Sequence, residues 1–125
     1  MHQPFSFTAR LHSFRYALAG LRTLLLTQHN AWLHAAATVL VTGAGLYFGL
    51  SLAEWCWLVL AMTLVWMAEA LNTALEFLAD AVTQEFHPLI LQAKDVAAAA
   101  VLIAAIGALV IGLLVFGPHL WPRFA

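Results

Sequence analysis

Three carboxylates and one carboxamide are concentrated in residues 67–80, MAEALNTALEFLAD, at the end of a long apolar run. They are Glu69, Asn72, Glu76 and Asp80. On a helix that advances about 100° per residue, all four fall within a stripe roughly 80° wide. An acid inside a membrane costs at least a few kcal/mol and indicates a function. One such carboxylate can act as a general base, and its neighbours can bind a divalent cation.

A basic group lies on the next apolar segment, where QAKDVAAAA places Lys94 and Asp95 at the start of a helix. Free backbone N–H groups and the helix dipole favour an anion at such a position. If this helix packs against the acidic one, Lys94 and Asp95 come level with Glu76 and Asp80. Carboxylates for Mg²⁺ and a lysine for phosphates are what a metal-bound polyphosphate needs.

A simpler interpretation of these charges remains open. Glu76 and Asp80 can end a helix in solvated lipid headgroups, and Lys94 and Asp95 can cap a helix at the interface. Glu69 can be neutral and hydrogen-bonded inside a bundle. His34, alone on an apolar segment, is expected to be a hydrogen-bonded core residue. The sequence contains no G-x-x-x-x-G-K-[ST] phosphate loop and no zinc-ligand spacing.

The composition requires a membrane around these residues. The 125-residue chain is 64% hydrophobic and only 9% charged, whereas a soluble domain carries about 25% charged residues. A net charge of −1 argues against a nucleic-acid partner. We predict one all-α domain, residues 1–125, with an amphipathic surface helix over about 8–27 and three spans. The spans are about 31–50, 54–82 and 94–117, the last ending at Gly117-Pro118.

The small residues Ala100, Ala104, Ala108 and Gly112 predict close approach of another helix to the third span. The basic residues predict the orientation, because they accumulate on the cytoplasmic side. One side carries four and the other carries one: Arg10, Arg15, Arg22 and Lys94 against Arg123. The N-terminus and the acidic residues are therefore predicted to be cytoplasmic.

Five segments together resemble one protein family. EALNTALE, EFHP and AKDVAAAAVL, with FRYALAGLR and TQHNAWLH before them, resemble the small bacterial membrane lipid kinases, the diacylglycerol kinase and undecaprenol kinase family. The likeness covers residues 10–116. It implies a homotrimer of three-span subunits in the bacterial inner membrane, with active sites between subunits at the cytoplasmic interface. It also implies ATP as co-substrate, Mg²⁺ as cofactor and a membrane lipid as acceptor.

The resemblance assigns roles to individual residues. Glu69 becomes the catalytic base that takes the proton of the lipid hydroxyl, and Glu76 becomes a Mg²⁺ ligand. Gln28 occupies the position of a second metal ligand, where the family usually carries glutamate. The implied ATP contacts are Arg10, Tyr16, Gln28, Glu76, Glu85, Phe86, His87, Lys94 and Asp95. The implied lipid-binding or supporting residues are Asn72, Asp80, Ala98, Asn30 and His34.

Two other classes of function fit the same composition. A small proton or cation carrier could use the acidic residues as a relay, although residues 55–68 offer no ionisable side chain except Cys56 to continue the path. Alternatively, a non-catalytic assembly subunit could use the same charges only to set the register between helices.

Overall fold

A computed structural model describes the backbone of residues 6–124 and the side chains of residues 6–122. Within this range the chain forms four helices. They are α1 (Phe7–Thr27), α2 (His29–Phe48), α3 (Leu52–Val82) and α4 (Pro88–Phe124). By length and composition α2, α3 and α4 can each cross a membrane, which confirms the all-α fold with three spanning helices. The side chain of Arg123 lies outside the described side chains.

Helix α1 is connected to α2 by a single extended residue, Gln28. The Trp32 indole N–H donates to the Leu25 carbonyl oxygen at 2.6 Å and fixes this junction. Among the apolar residues of α1, Leu24 is buried, whereas Phe14 and Leu18 are largely exposed. The apolar face of α1 is therefore covered by the chain only near its C-terminal end.

Helix α4 extends beyond the predicted stop at Gly117-Pro118 and contains Pro118 and Pro122 within its helical turns. Contacts with the start of α3 explain this difference. Val115 is buried in a cluster with Leu50 and Leu58, and the His119 Nε2 atom lies 2.7 Å from Glu54 Oε1. Tertiary packing therefore outweighs the local preference of proline to end a helix.

The predicted close approach at the small residues of α4 is only partly observed. Helix α4 packs most extensively against α3. Ala104, Ala108 and Gly112 are half-buried, but Ala100 is exposed. A Cβ atom added to Gly112 would meet nothing within 4 Å. At Gly112 the prediction of close approach is therefore wrong, because Ala108 and Gly112 line an open groove of about 440 Å³ beside α2.

The tight helix contact occurs at Gly45 on α2. A Cβ atom there would lie 2.7 and 2.8 Å from two ring carbons of Trp55. We expect Gly45→Ala to lower the free energy of unfolding by about 1–3 kcal/mol, because the extra methyl group overpacks this contact. Urea unfolding in detergent micelles measures the change. Gly43→Ala is the matched control, since a Cβ at Gly43 meets nothing within 4 Å. Equal stability of the two variants would contradict the prediction.

Candidate active site

The acidic side chains on the C-terminal half of α3 follow a gradient of burial. Glu69 is 0% exposed and Asn72 is 6% exposed, while Glu76 is half-buried and Asp80 is exposed. The helix carries these residues on one stripe, and α2 contacts the deeper end of the stripe through His34. The result is a polar column that runs from the surface of the chain into its interior.

The deepest carboxylate, Glu69, has one hydrogen-bond partner among the residues that the structure describes. Its Oε2 atom lies 3.1 Å from Nε2 of His34 on α2. Its Oε1 atom has no hydrogen-bond partner among the described residues, and the same holds for Asn72 Oδ1 and Thr73 Oγ1. Buried polar atoms are normally hydrogen-bonded. Glu69, Asn72 and Thr73 therefore carry three neighbouring buried polar atoms whose hydrogen-bonding capacity is unused among the described residues.

Asn72 and Glu76 are joined on successive turns of α3. The Asn72 side-chain N–H donates to Glu76 Oε1 at 3.1 Å. This bond directs the Asn72 amide toward Glu76 and leaves Asn72 Oδ1 without a partner. Both residues line a groove of about 340 Å³ between α2, α3 and α4. The other lining residues are Asn30, Leu33, His34, Ala98, Val101, Leu102 and Ala105.

A second concave site lies at the junction of α3 and α4. Lys94 Nζ donates to Asp80 Oδ1 at 2.8 Å and connects the two helices. These two residues line a cavity of about 260 Å³ together with Glu85, Phe86 and His87 of the connecting loop. The chain therefore brings five of the predicted site residues around one polar cavity at the exposed end of the column.

Other predicted site residues do not join these two sites within one chain. Asp95 is exposed and lines neither the groove nor the cavity. Arg10 and Tyr16 lie on α1 and line neither of them, and Tyr16 is 76% exposed. Gln28 is half-buried at the α1–α2 junction, where its amide N–H donates to Thr27 Oγ1 at 3.3 Å.

The structure adds residues that the sequence analysis did not select. Thr73 is buried beside Asn72 with an unpartnered hydroxyl, and its position four residues after Glu69 was the available signal. Trp66 and Thr38 form the second addition. The Trp66 indole N–H donates to Thr38 Oγ1 at 3.0 Å and joins α3 to α2. No local pattern indicates that pairing.

The oxygen atoms of the groove fit Mg²⁺ that arrives with a phosphate ligand. Among residues 6–122 no group of three or more His, Cys, Asp or Glu side chains is placed to bind a metal ion. Mg²⁺ does not require such a group, because it is commonly bound through one or two carboxylates, substrate phosphates and water. Glu76, which lines the groove, supplies such a carboxylate.

Comparison with known proteins gives one family. Residues 15–116 match the family described as prokaryotic diacylglycerol kinase. The chain is 40% identical over 108 residues to undecaprenol kinase of Bacillus subtilis (strain 168), an alignment that covers 86% of this chain and 88% of that protein. It is 44% identical over 103 residues to diacylglycerol kinase of Synechocystis sp., covering 82% of this chain and 59% of the relative. Diacylglycerol kinase of Escherichia coli (strain K12) is 31% identical over 123 residues, covering 90% and 93%.

Proposed function

The chain belongs to the prokaryotic diacylglycerol kinase family, and from that premise we propose that it phosphorylates the hydroxyl of a membrane lipid with Mg²⁺-bound ATP. We propose diacylglycerol or undecaprenol as the acceptor, because these two lipids appear in the names of the related kinases. The observation that carries the proposal is the gradient of side-chain burial along α3, from buried Glu69 to exposed Asp80. At the exposed end, Asp80 is hydrogen-bonded to Lys94 of α4. The column on α3 leads from a buried base to the polar cavity at the α3–α4 junction, where a nucleotide can bind.

The two concave sites suit the two substrates. The cavity around Asp80, Lys94 and the 85–87 loop has charged and aromatic groups suited to a nucleotide. The groove between α2, α3 and α4 has an apolar wall that includes Ala98 and polar groups from Asn30, Asn72 and Glu76. An apolar wall fits a lipid body, and the polar groups fit its hydroxyl and the transferred phosphoryl group.

The proposed reaction is one proton transfer with one phosphoryl transfer. Glu69 takes the proton of the lipid hydroxyl while that oxygen bonds to the γ-phosphorus, and the bond from phosphorus to the bridging oxygen of ADP breaks. Lys94 neutralises phosphate charge. Bound Mg²⁺ would be held by Glu76 and, in the assembled trimer, by Gln28, and it would supply further positive charge at the phosphates.

We also propose that the enzyme is a homotrimer in the bacterial inner membrane, with its active sites between subunits on the cytoplasmic side. Two observations support a site shared between copies. Tyr16 is exposed and lies outside both concave sites of its own chain. Three buried polar atoms of α3 lack partners within the described residues. Light scattering of the purified protein in micelles measures the number of subunits.

The proposed function is tested by ATP consumption in detergent–lipid micelles, with diacylglycerol and undecaprenol offered separately. Turnover that depends on one lipid and on Mg²⁺ supports the kinase and names its acceptor. Ion flux through liposomes without ATP would support a carrier instead. If Mg·ATP fails to raise the unfolding temperature and no lipid is phosphorylated, the protein is an assembly subunit, because a ligand of the folded state stabilises it.

Gln28 gives a prediction about the metal. A neutral amide oxygen binds Mg²⁺ more weakly than a carboxylate. We therefore expect Gln28→Glu to lower the Mg²⁺ concentration for half-maximal activity by about tenfold, from one added negative charge near the ion. Activity is titrated with Mg²⁺ at saturating ATP and lipid. Gln92→Glu, an exposed glutamine of α4 outside both concave sites, controls for added charge. Identical half-saturation of parent and Gln28→Glu would remove residue 28 from the metal site.

A further inference from the structure

His34 is held by contacts with two side chains of α3. Its Nε2 atom lies 3.1 Å from Glu69 Oε2. Its ring lies edge-on to the ring of Trp66, with centroids 6.1 Å apart and an interplanar angle of 66°. The Thr38 hydroxyl donates to the His34 carbonyl oxygen at 2.7 Å and accepts from the Trp66 indole at 3.0 Å. His34 and Thr38 on α2 therefore meet Trp66 and Glu69 on α3 as one network.

This network makes the two oxygens of Glu69 different. A carboxylate that is ready to accept a proton can only accept hydrogen bonds, so the contact with His34 requires a proton on Nε2. Oε2 is then occupied by the imidazole N–H. Oε1 has no partner among the described residues. One oxygen is thus held in place, and the other remains able to accept a proton.

His34 also lines the groove between α2, α3 and α4 while it contacts Glu69. The side chains of His34 and Asn72 line that groove, whereas Glu69 does not. Glu69 itself is completely buried. A rotation of the imidazole would therefore release the carboxylate and alter the surface of the groove at the same time.

We infer that His34 is a positioning residue for the proposed kinase reaction: its Nε2–H holds Glu69 Oε2 and leaves Oε1 to take the proton of the lipid hydroxyl. The inference rests on the proposed function, because it assumes that Glu69 is the base. To the proposed function it adds two statements. The proton of His34 is on Nε2, and the two oxygens of Glu69 differ, since Oε2 accepts the hydrogen bond and Oε1 accepts the proton. Small displacements of a reacting group cost on the order of 100-fold in rate, so this hydrogen bond should affect turnover strongly.

The test compares three substitutions of His34. The side-chain N–H of glutamine can replace the Nε2–H of histidine, whereas asparagine is too short and alanine has no donor. We expect His34→Gln to retain kcat within about tenfold, and His34→Asn and His34→Ala to lose about 100-fold, with the KM for each substrate changed less than twofold. Equal loss in all three variants would overturn the Nε2 assignment. Unchanged kcat with a raised lipid KM would make His34 only a wall of the groove.

A second histidine–glutamate pair, between α4 and α3, provides a matched control. His119 Nε2 lies 2.7 Å from Glu54 Oε1, and Glu54 is about 22 Å from Glu69 along the axis of α3. His119→Gln, His119→Asn and His119→Ala remove the same type of contact and should leave kcat unchanged. Thermal unfolding of both series shows whether a loss at His34 is only a loss of folded protein. Equal losses of kcat in the two series would contradict a positioning function.

Nitrogen-15 NMR of histidine-labelled parent protein tests the inference without a substitution at His34. We expect a proton on Nε2 of His34 and a changed Nε2 shift in Glu69→Gln. An unprotonated Nε2 would overturn the inference even if the kinase is active. If the parent protein phosphorylates no lipid, the proposed function fails, while the NMR result still reports the hydrogen bond.

Discussion

Glu69→Gln should reduce lipid phosphorylation by about 100- to 10,000-fold, the range that a general base contributes. Glutamine has nearly the same shape as glutamate, and its amide oxygen can accept from His34 in place of Oε2. Only the ability to take a proton is lost. Because a neutral amide replaces an acid in a fully buried position, we expect no loss of unfolding free energy.

The measurement pairs lipid-dependent ATP turnover with urea unfolding of the same preparation. Glu54→Gln is the matched control, because Glu54 also contacts a histidine and lies on the same helix. Its Oε2 accepts from the Ser51 backbone N–H at 2.7 Å in a capping box, a contact that glutamine can also make. Glu54→Gln should remain fully active. Activity of Glu69→Gln within threefold of the parent would exclude Glu69 as the base.

Glu76→Gln is expected to have the second largest effect, a loss of about 100- to 1,000-fold at physiological Mg²⁺. Glu76 is the one carboxylate that lines the groove, and removing it takes away the charge that attracts a divalent cation. The hydrogen bond from Asn72 can be kept, since its acceptor becomes an amide oxygen. The site should therefore keep its shape while its affinity for Mg²⁺ falls.

Titration with Mg²⁺ distinguishes this explanation from a general disruption. The half-saturating Mg²⁺ concentration should rise by more than tenfold in Glu76→Gln, and high Mg²⁺ should restore part of the activity. Glu76→Asp keeps the charge on a shorter side chain, so its half-saturation should lie between those of the parent and Glu76→Gln. A loss of activity with an unchanged Mg²⁺ dependence would exclude Glu76 as a metal ligand.

The acidic column could be predicted from the sequence because it is a property of one helix. Helical periodicity places Glu69, Asn72, Glu76 and Asp80 on one stripe whatever surrounds them. The pairing of Lys94 with Asp80 required only that two adjacent helices be antiparallel, with a short loop between them. The three spanning helices could be predicted from the length of the apolar segments. The family could be predicted from its local sequence motifs.

The contacts between helices could not be predicted in the same way. The pairing of His34 with Glu69 depends on how α2 is rotated against α3, and no single segment specifies that rotation. The continuation of α4 past Pro118 depends on the packing of Val115 and His119 against α3 and its N-terminal turn. Tyr16 is largely exposed in the single chain. Its contact with the nucleotide therefore stays a prediction about the assembled trimer.

The 31-residue length of α3 has a consequence for the enzyme in membranes of different composition. The helix is about 46 Å long, more than the roughly 30 Å of hydrocarbon in a bilayer. A thicker or thinner membrane is accommodated by a change of helix tilt. The proposed proton acceptor and metal ligand lie seven residues apart on this one rigid rod, an axial interval of about 10.5 Å. Tilting the helix does not change that interval. The spacing between the proposed proton acceptor and the proposed metal ligand should therefore be the same in thick and thin membranes.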